Sequence, residues 1–252
     1  MTSSITATFV GGPTLHLRYA GQAFLTDPTF DPPGEEYPVT GGTLRKLVGP
    51  AVPLAELGEV DVVLLSHDQH ADNLDHAGQA LLASVPTVLS TPDAAARIPG
   101  VRGLVPWEDA TVGAITVTAV PARHGPEGSE PFTGAVTGFV LRSDGWPTVY
   151  VSGDNASLDV VDAIARRVPD IALAVLFVGG ANASRFGTEP LTLDAMRAGA
   201  AADLLPDARI LPVHHTDWAH FVDPLTAVEE RFEASGRRDR LVVLERGRPT
   251  DV

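Results

Sequence analysis

The chain has 252 residues, of which 44% are hydrophobic and 20% charged, with a formal net charge of −14. These proportions suit a globular chain that can bury a sizeable core, and they exclude a disordered or fibrous one. Cysteine is absent, which excludes disulfides, thiolate metal sites and cysteine nucleophiles, and the acidity sets the surface against phosphate backbones, so nucleic acid is not an expected partner.

No apolar run approaches the roughly 18–20 residues of a membrane span, so no membrane partner is expected. Residues 1–10 carry no Lys or Arg ahead of their apolar residues and do not read as a secretory leader, which makes a cytoplasmic location the expectation. The whole of 1–252 reads as a single domain, with no fixed-period repeat and no linker.

In chain order, residues 5–10, 14–19 and 23–26 read as antiparallel strands, with turns at Gly11-Gly12 and around Gly21. Asp31-Pro32-Pro33-Gly34 opens an irregular segment lasting to about Pro53, of the length that often serves as a lid. Val62-Val63-Leu64-Leu65 reads as a strand buried on both faces, with a helix over 74–83 and a strand over 85–89 after it. Thr91 followed by Pro92 predicts a short helix over 93–98. Residues 111–122, 134–141 and 147–152 read as a run of strands.

Ser157 caps a predicted helix whose Leu158, Val161, Ile164 and Val168 share one face. Residues 171–178 read as a buried strand, Leu193 to Leu204 as a helix and 209–213 as a strand. Asp223-Pro224 is read as the cap of a last helix, and 241–244 as a closing strand. β-rich segments followed by β/α alternation in each half predict an α/β fold of four layers, an αββα sandwich. The antiparallel start and the meander over 111–152 count against the alternative, a doubly wound parallel sheet.

Of the eight histidines, His67, His70, His124 and His214 follow predicted strand ends, and Asp154 follows Tyr150-Val151-Ser152-Gly153 in the same way. Loops at the ends of packed strands can bring such side chains to one point, and imidazole and carboxylate are the metal ligands open to a cysteine-free chain. Ser66-His67-Asp68-Gln69-His70-Ala71-Asp72-Asn73-Leu74-Asp75 is the densest run. A capped helix start at Asp72 would explain that residue but neither histidine. His16 reads as a satisfied core or surface residue and His76 as a helix residue.

This run resembles the His-x-His-x-Asp-His signature of the metallo-β-lactamase superfamily. It is most similar to the branch with ascorbate-phosphate lactonases, whose form is Ser-His-Asp-His-x-Asp-His-Leu-Asp. Leu25-Thr26-Asp27-Pro28, Pro121-Ala122-Arg123-His124-Gly125, Ser152-Gly153-Asp154 and Leu211-Pro212-Val213-His214 resemble further family motifs in the family's order. Two departures stand out. One extra residue separates His67 from His70, and Asn73 occupies a histidine position. The extra residue can form a loop bulge that keeps both histidines as ligands, or Asp68 can take the first ligand position.

The resemblance implies a metallo-β-lactamase fold and a metal-dependent hydrolase acting on a small cytoplasmic metabolite, with a lactone or phosphoester as first choice. Metal-bound hydroxide is the implied nucleophile, since a divalent metal lowers the pKa of its water. His67, His70 and His124 would hold one metal, Asp72 and His214 a second, with Asp154 bridging; Asp72 would also accept the nucleophile's proton. Zinc is the expected metal, with manganese or iron as alternatives, and Asn73 weakens the second site because an amide oxygen is a poorer zinc ligand than imidazole. His215 is read as a neighbour or a rival of His214, and Trp218 and His220 as pocket residues or parts of a turn. The disturbed motif leaves one other class open: a metal-degenerate, non-catalytic binder of small molecules on the same fold.

Overall fold

A computed structural model describes residues 4–39, 42–182 and 186–252. Strands β1 (Thr6–Gly11), β2 (Thr14–Tyr19) and β3 (Gln22–Thr26) form an antiparallel meander. Its second turn has Ala20 and Gly21 both at positive φ, the geometry that matches the twist of a tight hairpin. A small hairpin, β4 (Glu36–Val39) and β5 (Gly42–Arg45), then stands apart from the main sheets. This corrects the sequence reading of 31–53 as wholly irregular. Pro38 is tolerated because a two-stranded ribbon has only edge strands.

Next come β6 (Val62–Leu64), α1 (His76–Leu82), β7 (Thr87–Ser90), α2 (Pro92–Arg97) and β8 (Val101–Gly103). β3, β6, β7 and β8 run parallel. The side chain of Asp75, not Asp72, caps α1 by accepting from Gly78 N. Residues 111–122 are not one strand but a hairpin, β9 (Asp109–Val112) and β10 (Ile115–Pro121), which turns at Gly113 with φ +57°.

Then follow α3 (Glu130–Thr133), β11 (Thr137–Arg142), β12 (Thr148–Val151), α4 (Leu158–Arg167), β13 (Ile171–Phe177), α5 (Ala195–Leu204), β14 (Arg209–Val213), α6 (Leu225–Ala234) and β15 (Thr250–Asp251). Residues 241–244 are not a strand; Leu241 makes a lone bridge to Ile210, and the chain closes through β15 beside β1. Asp223 does not cap α6. Its carboxylate accepts instead from Ala195 N at the start of α5.

The two sheets have the orders β15-β1-β2-β3-β6-β7-β8 and β14-β13-β12-β11-β10-β9. Their facing sides share one apolar core that includes Phe9, Phe24, Leu64, Phe139, Val151 and Phe177. A second cluster packs α4, α5 and α6 on the outer face of one sheet, through Tyr150, Ile164, Ala198 and Phe232. A third packs α1 on the other, through Leu25, Val63 and Leu82. Val62–Leu64 is an unbroken apolar run because each of its faces meets a different core, and the result is the αββα sandwich. Among the described residues no helix is long and apolar enough to cross a membrane.

Candidate metal centre

The candidate ligands hang from strand ends on one edge of the sandwich. His67 lies three residues past the last paired residue of β6 and is fully buried. Its Nδ1 is 3.0 Å from Ser66 Oγ. That hydroxyl donates to Asp27 Oδ2 at 2.7 Å, so it accepts from His67, and His67 Nε2 is left with its lone pair. His124, in the loop after β10, donates from Nδ1 to the Leu191 carbonyl at 2.7 Å, which leaves its Nε2 bare in the same way. Both bare nitrogens face His70 Nδ1, at 2.9 Å and 3.2 Å. One ring N–H can serve only one of them, so the trio is a set of lone pairs converging on a point. That is the donor set a divalent cation satisfies. Burial, reinforced by His124, lowers the His70 pKa to about 4, so the ring is neutral as a ligand must be.

The residue inserted between the two histidines is absorbed in the loop. Asn73 N and Leu74 N both close onto the His70 carbonyl, at 3.1 Å and 3.0 Å. Asp68 turns away and grips Arg97 of α2 with both oxygens, at 2.7 Å and 2.6 Å.

A second group forms beside the first from Asp72, Asp154 and His214, all buried. His214 follows β14 at φ +59°, and its backbone N donates to the Gly12 carbonyl at 2.6 Å. Its Nδ1 is 3.1 Å from Asp154 Oδ1 and its Nε2 is 3.3 Å from Asp72 Oδ2, yet neither nitrogen has a hydrogen-bond partner in proper alignment. Asp154 Oδ2 is also buried without a hydrogen bond, 3.5 Å from His124 Nε2, so this carboxylate reaches both groups. Burial would raise both carboxyls, but His220 and His214 around Asp72, and His214 and His124 around Asp154, hold them well below the usual range. The two His214 ring nitrogens and Asp154 Oδ2, buried and without hydrogen bonds, fit bound cations and fit a hydrogen-bonded core poorly.

Asn73 makes no use of its amide oxygen here. Its Nδ2 donates to Asp27 Oδ2 and Asp154 Oδ1, both at 3.1 Å, and the reversed amide would set oxygen against two carboxylates. Asp27 is a residue that the sequence marked only as part of a motif. It sits beneath the centre, accepts from Ser66 N and Oγ and from Asn73, and burial pushes its pKa up to about 7. The available signal was its place directly before Pro28 at the end of a predicted strand, and in the structure it stands at φ +29° just past β3.

The remaining histidines separate clearly. His16 Nε2 meets the Glu59 carbonyl, His76 is exposed on α1 beside Asp31, and His215 lies against Phe9 outside both groups. His220 joins the centre: its Nε2 is 2.9 Å from Asp72 Oδ2. Trp218 packs between Tyr37 and Lys46 and does not line the cavity.

A cavity of about 840 Å³ opens over His70, Asp72, His124 and His220. The β4–β5 hairpin contributes Pro38, Val39 and Leu44 to its wall, and α3 contributes Phe132, whose ring stands 6.1 Å from that of Phe186.

Comparison with known proteins agrees with this geometry. The family model of the beta-lactamase superfamily domain matches residues 22–215. A metal-dependent hydrolase of Pyrococcus abyssi is 24% identical over 77% of this chain and 82% of its own. Among solved structures, an isothiocyanate hydrolase from Delia radicum gut bacteria superposes with a TM-score of 0.84 at 23% identity, covering 98% of this chain and 100% of that one. A metallo hydrolase from the archaeon Ignicoccus hospitalis does so with a TM-score of 0.74 at 18% identity, covering 99% and 98%. With six metal-competent side chains gathered at one edge of an αββα sandwich, the chain belongs to the beta-lactamase superfamily and is a metal-dependent hydrolase.

Proposed function

We propose that residues 1–252 act as one hydrolase domain on a small, uncharged cytoplasmic metabolite that carries a lactone. The observation that supports the substrate class is the cavity wall. Apolar side chains such as Val39, Leu44 and Phe132 share it with uncharged polar ones and the candidate ligands, and among the described residues that line it there is no Lys or Arg to hold a phosphate. An anionic phosphoester would also approach a chain of net charge −14 against repulsion. A neutral ring with an apolar substituent meets neither obstacle and gains from desolvating Val39, Leu44 and Phe132.

In this reading His67, His70 and His124 would hold one divalent cation, and Asp72, Asp154 and His214 a second, with zinc suited to imidazole and carboxylate and manganese or iron as alternatives. Such a cation makes water nucleophilic near neutral pH and polarises a carbonyl. The chain's own residues supply the rest. Asp72, on the cavity floor, takes the proton of the attacking water. Asp154 spans the two groups and fixes their separation. Ser66 and Leu191 lock the ring orientations of His67 and His124.

The test is turnover of a panel of simple lactones, phosphomonoesters and phosphodiesters, with an isothiocyanate as comparator, by protein loaded with zinc or manganese. Lactones with apolar side chains should give the highest kcat/KM. Faster phosphoester turnover, or lactone binding without hydrolysis, would overturn the proposal.

A further inference from the structure

We infer that His220 is a ligand of the second cation, in the place that Asn73 leaves empty. The inference rests on the reading of Asp72, Asp154 and His214 as a metal group. That group has three side chains, and its neighbour Asn73 spends its amide nitrogen on the Asp27 and Asp154 carboxylates. His220 reaches Asp72 of that group from the loop that follows β14. Asp72 Oδ2 lies 2.9 Å from His220 Nε2 and 3.3 Å from His214 Nε2, so one oxygen stands between two imidazole nitrogens. The first spacing equals that between His67 Nε2 and His70 Nδ1 in the neighbouring group.

The backbone holds His220 there. Loop 214–223 crosses the end of β13 with Val222 N and Asp223 N on the Gly179 carbonyl, at 3.0 Å and 3.1 Å. Ala219 N donates to the Arg45 carbonyl and Asn182 N to that of His220. Any side chain at Gly179 would collide with the His214 carbonyl and the Phe221 ring. The Phe221 ring then lies 4.6 Å from both the His214 and the His220 imidazoles, which spaces them on one support. His220 is mostly buried and its Nδ1 has no hydrogen-bond partner, so the contact of Nε2 with Asp72 is the one hydrogen bond of its imidazole among the described residues. Imidazole supplied six residues past His214 thus replaces imidazole lost at Asn73, and a site of two histidines and two carboxylates results.

The experiment is a zinc titration of the purified full chain by calorimetry, with elemental analysis after desalting. Wild type should take up about two equivalents. His220→Ala should lose the second class of site, its affinity falling more than the roughly 10–100-fold of a residue that only orients a ligand. Circular dichroism should show an unchanged fold, and His220→Gln serves if the alanine variant does not fold. The double variant Asn73→His, His220→Ala should regain the second equivalent. Wild type that saturates at one equivalent, or His220→Ala that keeps two at unchanged affinity, would overturn the inference. Neither result touches the choice of lactone, and a failure to turn over lactones leaves the stoichiometry standing.

Discussion

Lys46 Nζ lies 2.7 Å from Asp75 Oδ2, with both side chains almost wholly buried. The pair ties the segment after β5 to the metal-motif loop. Asp75 also caps α1 and accepts from Asp31 N, while the Lys46 ammonium stands 5.4 Å from the centre of the Trp218 ring. Two buried charges are tolerable only as a pair, and removing one leaves the other desolvated without compensation. Lys46→Met should therefore cost about 3–5 kcal/mol of stability. Because the β4–β5 hairpin walls the cavity, a surviving variant should also show a raised KM with a smaller change in kcat. Denaturant unfolding and steady-state kinetics check the two effects, and a loss below about 1 kcal/mol would contradict the role given to the pair.

Asp68 and His67 are neighbours in sequence with opposite environments. Asp68 is held by Arg97, and His67 Nε2 faces His70 and His124. His67→Ala should lower zinc affinity by more than roughly 100-fold. Asp68→Ala should leave the affinity within a fewfold and cost at most about 1 kcal/mol, the range of a partly exposed ion pair. Competition with a coloured chelator reads both values, and the reverse order would place Asp68 in the site.

Asp154→Asn keeps the shape of the side chain and removes the charge that faces His124 and His214. Metal uptake should fall, and the melting temperature without metal should fall as well, because a carboxylate that His214 and His124 hold below its usual range contributes stability at neutral pH and its loss leaves a buried partner uncompensated. An equally metallated, equally active variant would show that Asp154 is only a strand-end residue.

Asp31 gives the acid limb of stability. Burial works to raise its pKa, but hydrogen bonds from Tyr37 Oη, Ala77 N and His76 N, with the His76 imidazole nearby, bring it below the usual value. A carboxyl lowered in the folded state contributes stability that is present above its unfolded pKa and is lost as pH falls through the folded value. Asp31→Asn should therefore destabilise by about 1–3 kcal/mol at neutral pH and flatten the decline of stability below about pH 4. Unfolding curves from neutral pH to pH 3 test this, and parallel curves for variant and wild type would refute it.

The sequence made the fold legible where periodicity and end signals agreed. Val62–Leu64, Ile171–Phe177 and the helix capped by Ser157 lie where their patterns place them. It failed where tertiary contacts decide. Gly113 splits 111–122 into a hairpin that hydrophobicity alone does not show, and Glu36–Val39 and Gly42–Arg45 pair as a ribbon with little apolar alternation. Asp223 looked like a local cap and serves a different helix. In the site, strand-end position drew attention to His67, His70, His124, Asp154 and His214, and the dense run over 66–75 added Asp72. Lys46 escaped, and Asp27 and His220 were noted without these roles, because each acts through a partner at least 29 residues distant in the chain, such as Asp75 for Lys46, and no local pattern encodes such a pairing.

The central claim is that the His67, His70 and His124 lone pairs form a metal site, and metal content tests it most directly. Protein dialysed against metal-free buffer, reconstituted separately with zinc, manganese and ferrous iron, and desalted should retain at least about one equivalent of one ion. The His67→Ala, His124→Ala double variant should lose that equivalent while keeping its circular dichroism spectrum. Wild-type protein that retains no ion under any of these conditions would contradict the account.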